Sequence, residues 1–332
     1  MSNPILKVEK LAKKFYVKRS IFQKSDAVNA VNGVDFEVLE GTIFGLVGES
    51  GCGKTTIARC LVGLERPTSG NISFRGEEIG SLSQKDFRPY RKKIQIVYQD
   101  PSDSLNPRLT VSQTIMEPLN LYSGLPKADQ QKLVMETMEI VGLRTQHLER
   151  FPHQLSTGQQ QRVGIARAII CHPDFVVLDE PTSALDLSVR GRVLELLLDI
   201  QRRSNLTYIF ISHDLGVVRF ICQHTAVMYL GYIAESGPTK ELFNNPEHPY
   251  TKALISAIPK VHAGSRKERI ILQGEVPSPI NMPPGCPFSN RCLEAEEICS
   301  EKRPKLLPTS EGRMVSCHMV QREDDSFLAK TS

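Results

Sequence analysis

The segment Gly48-Glu49-Ser50-Gly51-Cys52-Gly53-Lys54-Thr55 matches the spacing G-x-x-x-x-G-K-[ST] in full. Its glycines free backbone N–H groups to curl around an anion. Lys54 adds a positive charge, and Thr55 a hydroxyl suited to Mg²⁺. Together with Thr56, this is chemistry for the phosphate tail of a nucleotide. A second candidate is the pair Asp179-Glu180, which follows the apolar run Phe175-Val176-Val177-Leu178. A carboxylate fixed at the end of such a run can hold a Mg²⁺-bound water, and its neighbour can polarise an attacking water. The third candidate is a set of cysteines, Cys286, Cys292, Cys299 and Cys317, with five, six and seventeen residues between successive members. Four thiolates can converge on one centre, either Zn²⁺ or an iron–sulfur cluster. The spacing lacks the C-x₂-C knuckles of zinc ribbons, which favours iron–sulfur.

These groups need elements to hold them. Thr42 to Val47 reads as a buried strand, followed by a glycine-rich loop at 48–53 and a helix from about Lys54 to Leu64. Phe175 to Leu178 and Tyr208 to Ile211 read as further buried strands. Gly48, Asp179 and His213 each lie just past the carboxyl end of a strand, where open parallel sheets place ligands. The alternation of strand and helix signals predicts an α/β core. Between about 100 and 165 the pattern differs. Leu133, Val134, Thr137, Met138 and Val141 recur at helical spacing, which predicts a helical insertion. After about 260 the chain becomes rich in proline, with four cysteines and few apolar runs, as expected for a small appended module.

The chain has 332 residues, enough for one large domain and a smaller one, and 40% of them are apolar. A formal charge of +4 without a dense Lys/Arg block does not suggest nucleic-acid binding. No apolar run approaches the roughly 18 to 20 residues of a membrane helix. The first residues lack the apolar segment of a signal peptide. A cytosolic chain is expected, attached to a membrane only through a partner. In that compartment disulfides are not the default for its eight cysteines.

One more motif gives these pieces a context. Leu155-Ser156-Thr157-Gly158-Gln159 precedes the strand that ends in Asp179. With the 48–55 loop, it makes the chain resemble an ATP-binding cassette (ABC) ATPase, whose signature sequence is Leu-Ser-Gly-Gly-Gln. Thr157 departs from that pattern at its middle position. The resemblance covers about residues 5 to 240. It implies a P-loop (RecA-like) core with a mainly parallel sheet, an antiparallel β-subdomain and an inserted helical subdomain. It further implies that Gln99 senses Mg²⁺ and the transmembrane partner, and that Thr55, Gln99 and Asp179 hold the metal. His213 matches the switch histidine that contacts the γ-phosphate, and Asp186 lies in the loop that crosses a dimer interface. Phe15, in preference to Tyr16, is expected to stack on adenine. Ser156, Gly158 and Gln159 of one chain would complete the ATP site of another. Two cassettes would thereby sandwich two ATPs and reopen on hydrolysis.

Two further segments resemble the ATPase subunits of oligopeptide, dipeptide and nickel importers. They are Gln99-Asp100-Pro101-Ser102-Asp103-Ser104-Leu105-Asn106-Pro107-Arg108 and His248-Pro249-Tyr250-Thr251-Lys252-Ala253-Leu254. Gly285-Cys286-Pro287-Phe288-Ser289-Asn290-Arg291-Cys292, with Cys299 and Cys317, resembles the C-terminal extension of that group, which in some members carries a [4Fe–4S] cluster. This resemblance implies a nucleotide-binding domain at 1–240 and an extension at 241–332. It implies an ATP- and Mg²⁺-dependent peptide importer subunit at the cytoplasmic face of the inner membrane. The partners implied are a second ATPase subunit (paralogous or identical), two transmembrane permeases and an extracytoplasmic substrate-binding protein. Import of nickel or another small solute is the alternative. A soluble cassette ATPase acting on ribosomes or DNA is a more distant one, because the chain has one cassette and no large zinc-bearing insertion.

Overall fold

A computed structural model of the chain describes residues 4–17, 26–259, 269–280 and 282–322. The chain opens with two long strands, β1 (Pro4–Val17) and β2 (Asp26–Leu39), paired antiparallel. β4 (Ser69–Phe74) and the two-residue β5 (Glu77–Glu78) join them in a four-stranded antiparallel sheet of order β2-β1-β4-β5. Between these come β3 (Ile43–Val47) and the helix α1 (Lys54–Leu61). The helix stops at Leu61 rather than near Leu64. Gly63 adopts a positive φ of 68° at its end, and the N–H of Leu64 turns back to the Arg59 carbonyl.

The larger sheet adds β6 (Ile94–Val97), β7 (Phe175–Asp179), β8 (Thr207–Ser212), β9 (His224–Tyr229) and β10 (Tyr232–Pro238). Five of its strands run parallel, in the order β9-β3-β8-β7-β6. Their apolar runs are explained by burial on both faces. In β7, Val176 and Leu178 enter one core cluster while Phe175 and Val177 enter the other. In β8, Tyr208 and Phe210 alternate with Ile209 and Ile211 in the same way. Successive side chains point to opposite faces, so a continuous apolar run feeds two cores.

From 98 to 174 the chain contains no strand. It forms α2 (Pro101–Ser104), α3 (Val111–Tyr122), α4 (Lys127–Ile140) and α5 (Thr157–Ile169). The helices α6 (Leu187–Ser204) and α7 (Leu215–Ile221) alternate with the later core strands. The helical insertion and the mainly parallel sheet are as expected. Among the described residues no helix is long and apolar enough to cross a membrane.

The C-terminal extension, expected as a small appended module, joins the main sheet. After α8 (Thr239–Asn244) and α9 (Pro249–Ser256), the short helix α10 (Glu297–Glu301) is followed by β11 (Leu307–Pro308) and β12 (Met314–Val315). β12 pairs with β10, so the tail extends the main sheet. Cys286, Phe288 and Cys299 belong to the same core cluster as α5 and α6. A segment with few apolar residues cannot build its own core and here shares the main one. Arg313, with no exposed side-chain surface, fastens this junction through Glu235 at 3.9 Å, Glu311 at 3.1 Å and a close contact with Glu247.

Candidate functional site

β3 delivers the chain to Gly48, where φ is 151° and a Cβ would lie 2.2 Å from the Met228 carbonyl oxygen. At Gly53, with φ of 107°, a Cβ would lie 2.2 Å from the carbonyl oxygen of Ala30. Only glycine fits either place. The loop between them ends at α1, whose first N–H groups lack intrahelical partners. Lys54, 5% exposed, donates to the carbonyls of Gly48 at 2.8 Å and Glu49 at 2.9 Å, and stands 3.6 Å from the Cys52 sulfur. Burial raises the Cys52 thiol above its ordinary range, so it acts as an inert filler.

Thr55 Oγ1 donates to Asp179 Oδ1 at 3.4 Å. Asp179 ends β7 and is buried, which raises its carboxyl; the Thr55 bond and the charges of Lys54 and Arg59 oppose that rise. At Glu180 the chain takes a left-handed turn, φ 46°, fixed by its N–H donating to the Ile211 carbonyl at 3.0 Å. One carboxylate oxygen then gathers two other loops. Gln99 Nε2, beyond β6, donates to Glu180 Oε2 at 3.1 Å, and His213 Nδ1, beyond β8, lies 3.0 Å from the same oxygen.

These residues open onto a cleft of about 490 Å³. It is lined by Ser50, Gly51, Gly53, Lys54, Thr55 and Thr56, by Gln99, Glu180 and His213, and by Val28, Ala30 and Pro279. Gly48, Glu49, Cys52 and Asp179 are not among its lining residues. Phe15 is not part of it. Its ring sits under Lys13 Nζ at 4.9 Å, and its register partner across the strands is Val28. Tyr16 is 67% exposed.

Ser156, Gly158 and Gln159 do not reach this cleft. Ser156 caps α5: its Oγ accepts the Gln159 N–H at 3.4 Å, and Gln159 Oε1 accepts the Ser156 N–H at 3.0 Å. A Cβ at Gly158 would stand 2.6 Å from Val189 of α6, so this turn lies close against that helix. Asp186 precedes α6 without capping it through its side chain.

Two residues went unnoticed in the sequence. Arg291 grips the Glu49 carboxylate with both terminal nitrogens, at 2.7 and 3.1 Å. The Glu49 N–H donates to the Tyr250 hydroxyl at 3.0 Å. These contacts span 242 and 201 residues and carry no periodic or compositional signal. The nearest clue was the presence of both residues in the two segments already singled out.

Cys286, Cys292, Cys299 and Cys317 line one small cavity together with His248, Phe288 and His318. Burial pushes the Cys286 and Cys292 thiols up to about 11, and the neighbouring cysteines reinforce the rise. Backbone N–H groups of Phe288, Glu294, Met319 and Val320 point at three of the sulfurs and favour their thiolates. Donor type and burial therefore fit a soft metal centre. The arrangement is less complete, for among the described residues no group of three or more His, Cys, Asp or Glu side chains is set as a metal-ligand cluster.

Comparison with known proteins places this geometry. A family described as "ABC transporter" matches residues 31–183, and one described as "Oligopeptide/dipeptide transporter, C-terminal region" matches 234–299. The dipeptide transport ATP-binding protein DppF of Haemophilus influenzae is 45% identical over 319 residues, 96% of this chain and 98% of that protein. The oligopeptide transport ATP-binding protein AppF of Bacillus subtilis is 44% identical over 319 residues, 95% of this chain and 97% of that protein. Among solved structures, cbiO1 of Clostridium perfringens, part of an ABC transporter complex, superposes with a TM-score of 0.63 at 29% identity. That match covers 74% of this chain and 92% of cbiO1. An ATP-binding cassette solved as a dimer with ADP and Pi matches with a TM-score of 0.64 at 26% identity, over 70% of this chain and 98% of that one.

Proposed function

This chain belongs to the ABC transporter ATP-binding proteins, in their oligopeptide/dipeptide branch, and from that premise we propose that it hydrolyses ATP to drive peptide import through a membrane complex. The observation that carries the catalytic part is the junction at Glu180, where Gln99 and His213 meet one carboxylate oxygen beside Lys54 and Thr55.

In this reading N–H groups of the 48–53 loop other than that of Glu49, together with the Lys54 ammonium, hold the β- and γ-phosphates. To do so, Lys54 exchanges its present carbonyl partners for phosphate oxygens. Thr55, Gln99 and Asp179 would hold Mg²⁺, which when bound would supply neutralising charge for the phosphates. Glu180 takes a proton from the attacking water, and His213 contacts the γ-phosphate. Phe15 supports the adenine. Ser156, Gly158 and Gln159 serve the site of a second ATPase subunit, with Asp186 at the seam between the two. Their absence from the cleft, with Ser156 and Asp186 exposed, supports that assignment. Two transmembrane permease subunits and an extracytoplasmic substrate-binding protein complete the complex, with this chain at the cytoplasmic face of the membrane.

For the four cysteines we infer a [4Fe–4S] cluster, with Zn²⁺ as the alternative. Its support is the shared buried cavity and the backbone N–H groups aimed at the sulfurs. When bound, such a centre would chiefly cross-link a segment that has little apolar surface of its own.

ATP turnover measured with and without the membrane subunits tests the transport reading. Stimulation or gating by those subunits is expected. Full turnover by the isolated chain, indifferent to them, would overturn it.

A further inference from the structure

Glu49 places a negative charge inside a loop read above as a cradle for phosphates. Such a carboxylate would repel a triphosphate unless something neutralised it. Its backbone is held from two directions, the N–H by the Tyr250 hydroxyl at 3.0 Å and the carbonyl by Lys54 at 2.9 Å. Its carboxylate is held by the two-pronged contact with Arg291 at 2.7 and 3.1 Å. Arg291 is 8% exposed at its side chain, and Glu49 27%. One prong also approaches the Tyr229 hydroxyl at 3.3 Å. The fork of a guanidinium matches a carboxylate in shape as well as charge, so the pair is directional.

The root of this arm lies among the cysteines. Arg291 ends a short 3₁₀ turn, Ser289–Arg291. The Ser289 N–H donates to the Cys286 carbonyl at 3.1 Å, and the Cys292 N–H to the Ser289 carbonyl at 3.3 Å. The cysteine-bearing segment thus reaches across the sheet edge to the second residue of the phosphate loop.

We propose that Arg291 is a positioning residue for the phosphate loop: it cancels the Glu49 charge and, with Tyr250 holding the Glu49 N–H, fixes the loop for ATP. The proposal rests on the assignment of the 48–55 loop to the phosphates. Arg291 touches no substrate and acts through Glu49. The C-terminal segment thereby becomes part of the nucleotide site.

The test is calorimetric titration of ATP with Mg²⁺ into the full chain, together with turnover kinetics. Arg291→Gln should weaken ATP binding about tenfold, because it leaves an uncompensated carboxylate beside the phosphates. The KM for ATP should rise more than kcat falls. Adding Glu49→Gln to that variant should return affinity to within about threefold of the original chain, since the repelling charge is gone. A merely structural arm predicts a lowered unfolding midpoint and no such rescue. Unchanged affinity in Arg291→Gln, or a double variant no better than the single one, overturns the proposal. Should Arg291→Gln not fold, Glu49→Gln alone carries the test: it removes the charge that the clamp answers, so affinity should stay within about threefold, and a tenfold loss refutes charge compensation. Lys54→Ala measured alongside separates the two readings. Retained ATP affinity there sinks the loop assignment itself, whereas lost affinity there with unchanged affinity in Arg291→Gln sinks only the clamp.

Discussion

Glu180 is where three loops of the cleft meet. Its left-handed backbone, φ 46°, is uncommon for a residue with a side chain, and the Ile211 carbonyl holds it there. That turn lets one oxygen contact Gln99 and His213 together. A base between a donor amide and an imidazole is well placed to take a proton and be restored. Replacing Glu180 by Gln should leave ATP binding intact and slow hydrolysis by about a hundredfold or more, the usual contribution of a positioned base. Single-turnover hydrolysis and size-exclusion with ATP provide the readout, and the slow variant should accumulate as a closed dimer. Normal turnover would remove Glu180 from this role. The residue was legible in the sequence because it stands next to Asp179, which directly follows four apolar strand residues. Arg291 was not, for its partner lies 242 residues away and its neighbours drew attention as metal ligands.

At the scale of elements, α9 illustrates how a buried cap responds to pH. His248 is buried, and its Nδ1 accepts the Tyr250 N–H at 3.0 Å. Its own N–H donates to Glu235 Oε2 at 3.0 Å. Burial, aided by the Lys252 charge, lowers its pKa from 6.5 to about 4. The unfolded chain therefore takes up this proton first as pH falls, so stability is complete above about 6.5 and is lost on the way down to about 4. At about 1.4 kcal/mol per unit, the loss from this residue is about 3 kcal/mol. Urea-unfolding midpoints across that range should fall less steeply for His248→Asn, whose side chain can still cap the helix. Parallel curves for the two proteins would refute the assignment. The core strands were readable because a strand buried on both faces must be apolar throughout. The end of α1 was misread because the apolar spacing runs on past Gly63, where the backbone turns left-handed.

At the scale of the molecule, the tail is fused to the core. β12 extends the main sheet, the cysteine segment shares its hydrophobic cluster, and Pro279 lines the cleft. Loss of the proposed cysteine centre should then disturb more than its own surroundings. Anaerobic purification with iron and acid-labile sulfide analysis should find both in comparable amounts. Zinc without iron would replace the cluster by the alternative centre. Removing the metal with a chelator should also lower the unfolding midpoint of the whole chain, because binding free energy at such a site is folding free energy. An unchanged midpoint would confine the centre to a local role.

The sequence by itself determined what local rules can encode. The glycine positions of the loop at 48–55, the apolar runs of the parallel strands, the helical insertion and the ends where Asp179 and His213 project all follow from backbone sterics and burial over a few residues. Only the tertiary structure decided which of these ends converge on Glu180, that Ser156 and Gly158 stay away from this chain's own cleft, and that Arg291 and Tyr250 brace Glu49. Such contacts join residues 33 to 242 positions apart. They depend on strand order and on the path of the tail across the sheet, which no periodicity within either segment records.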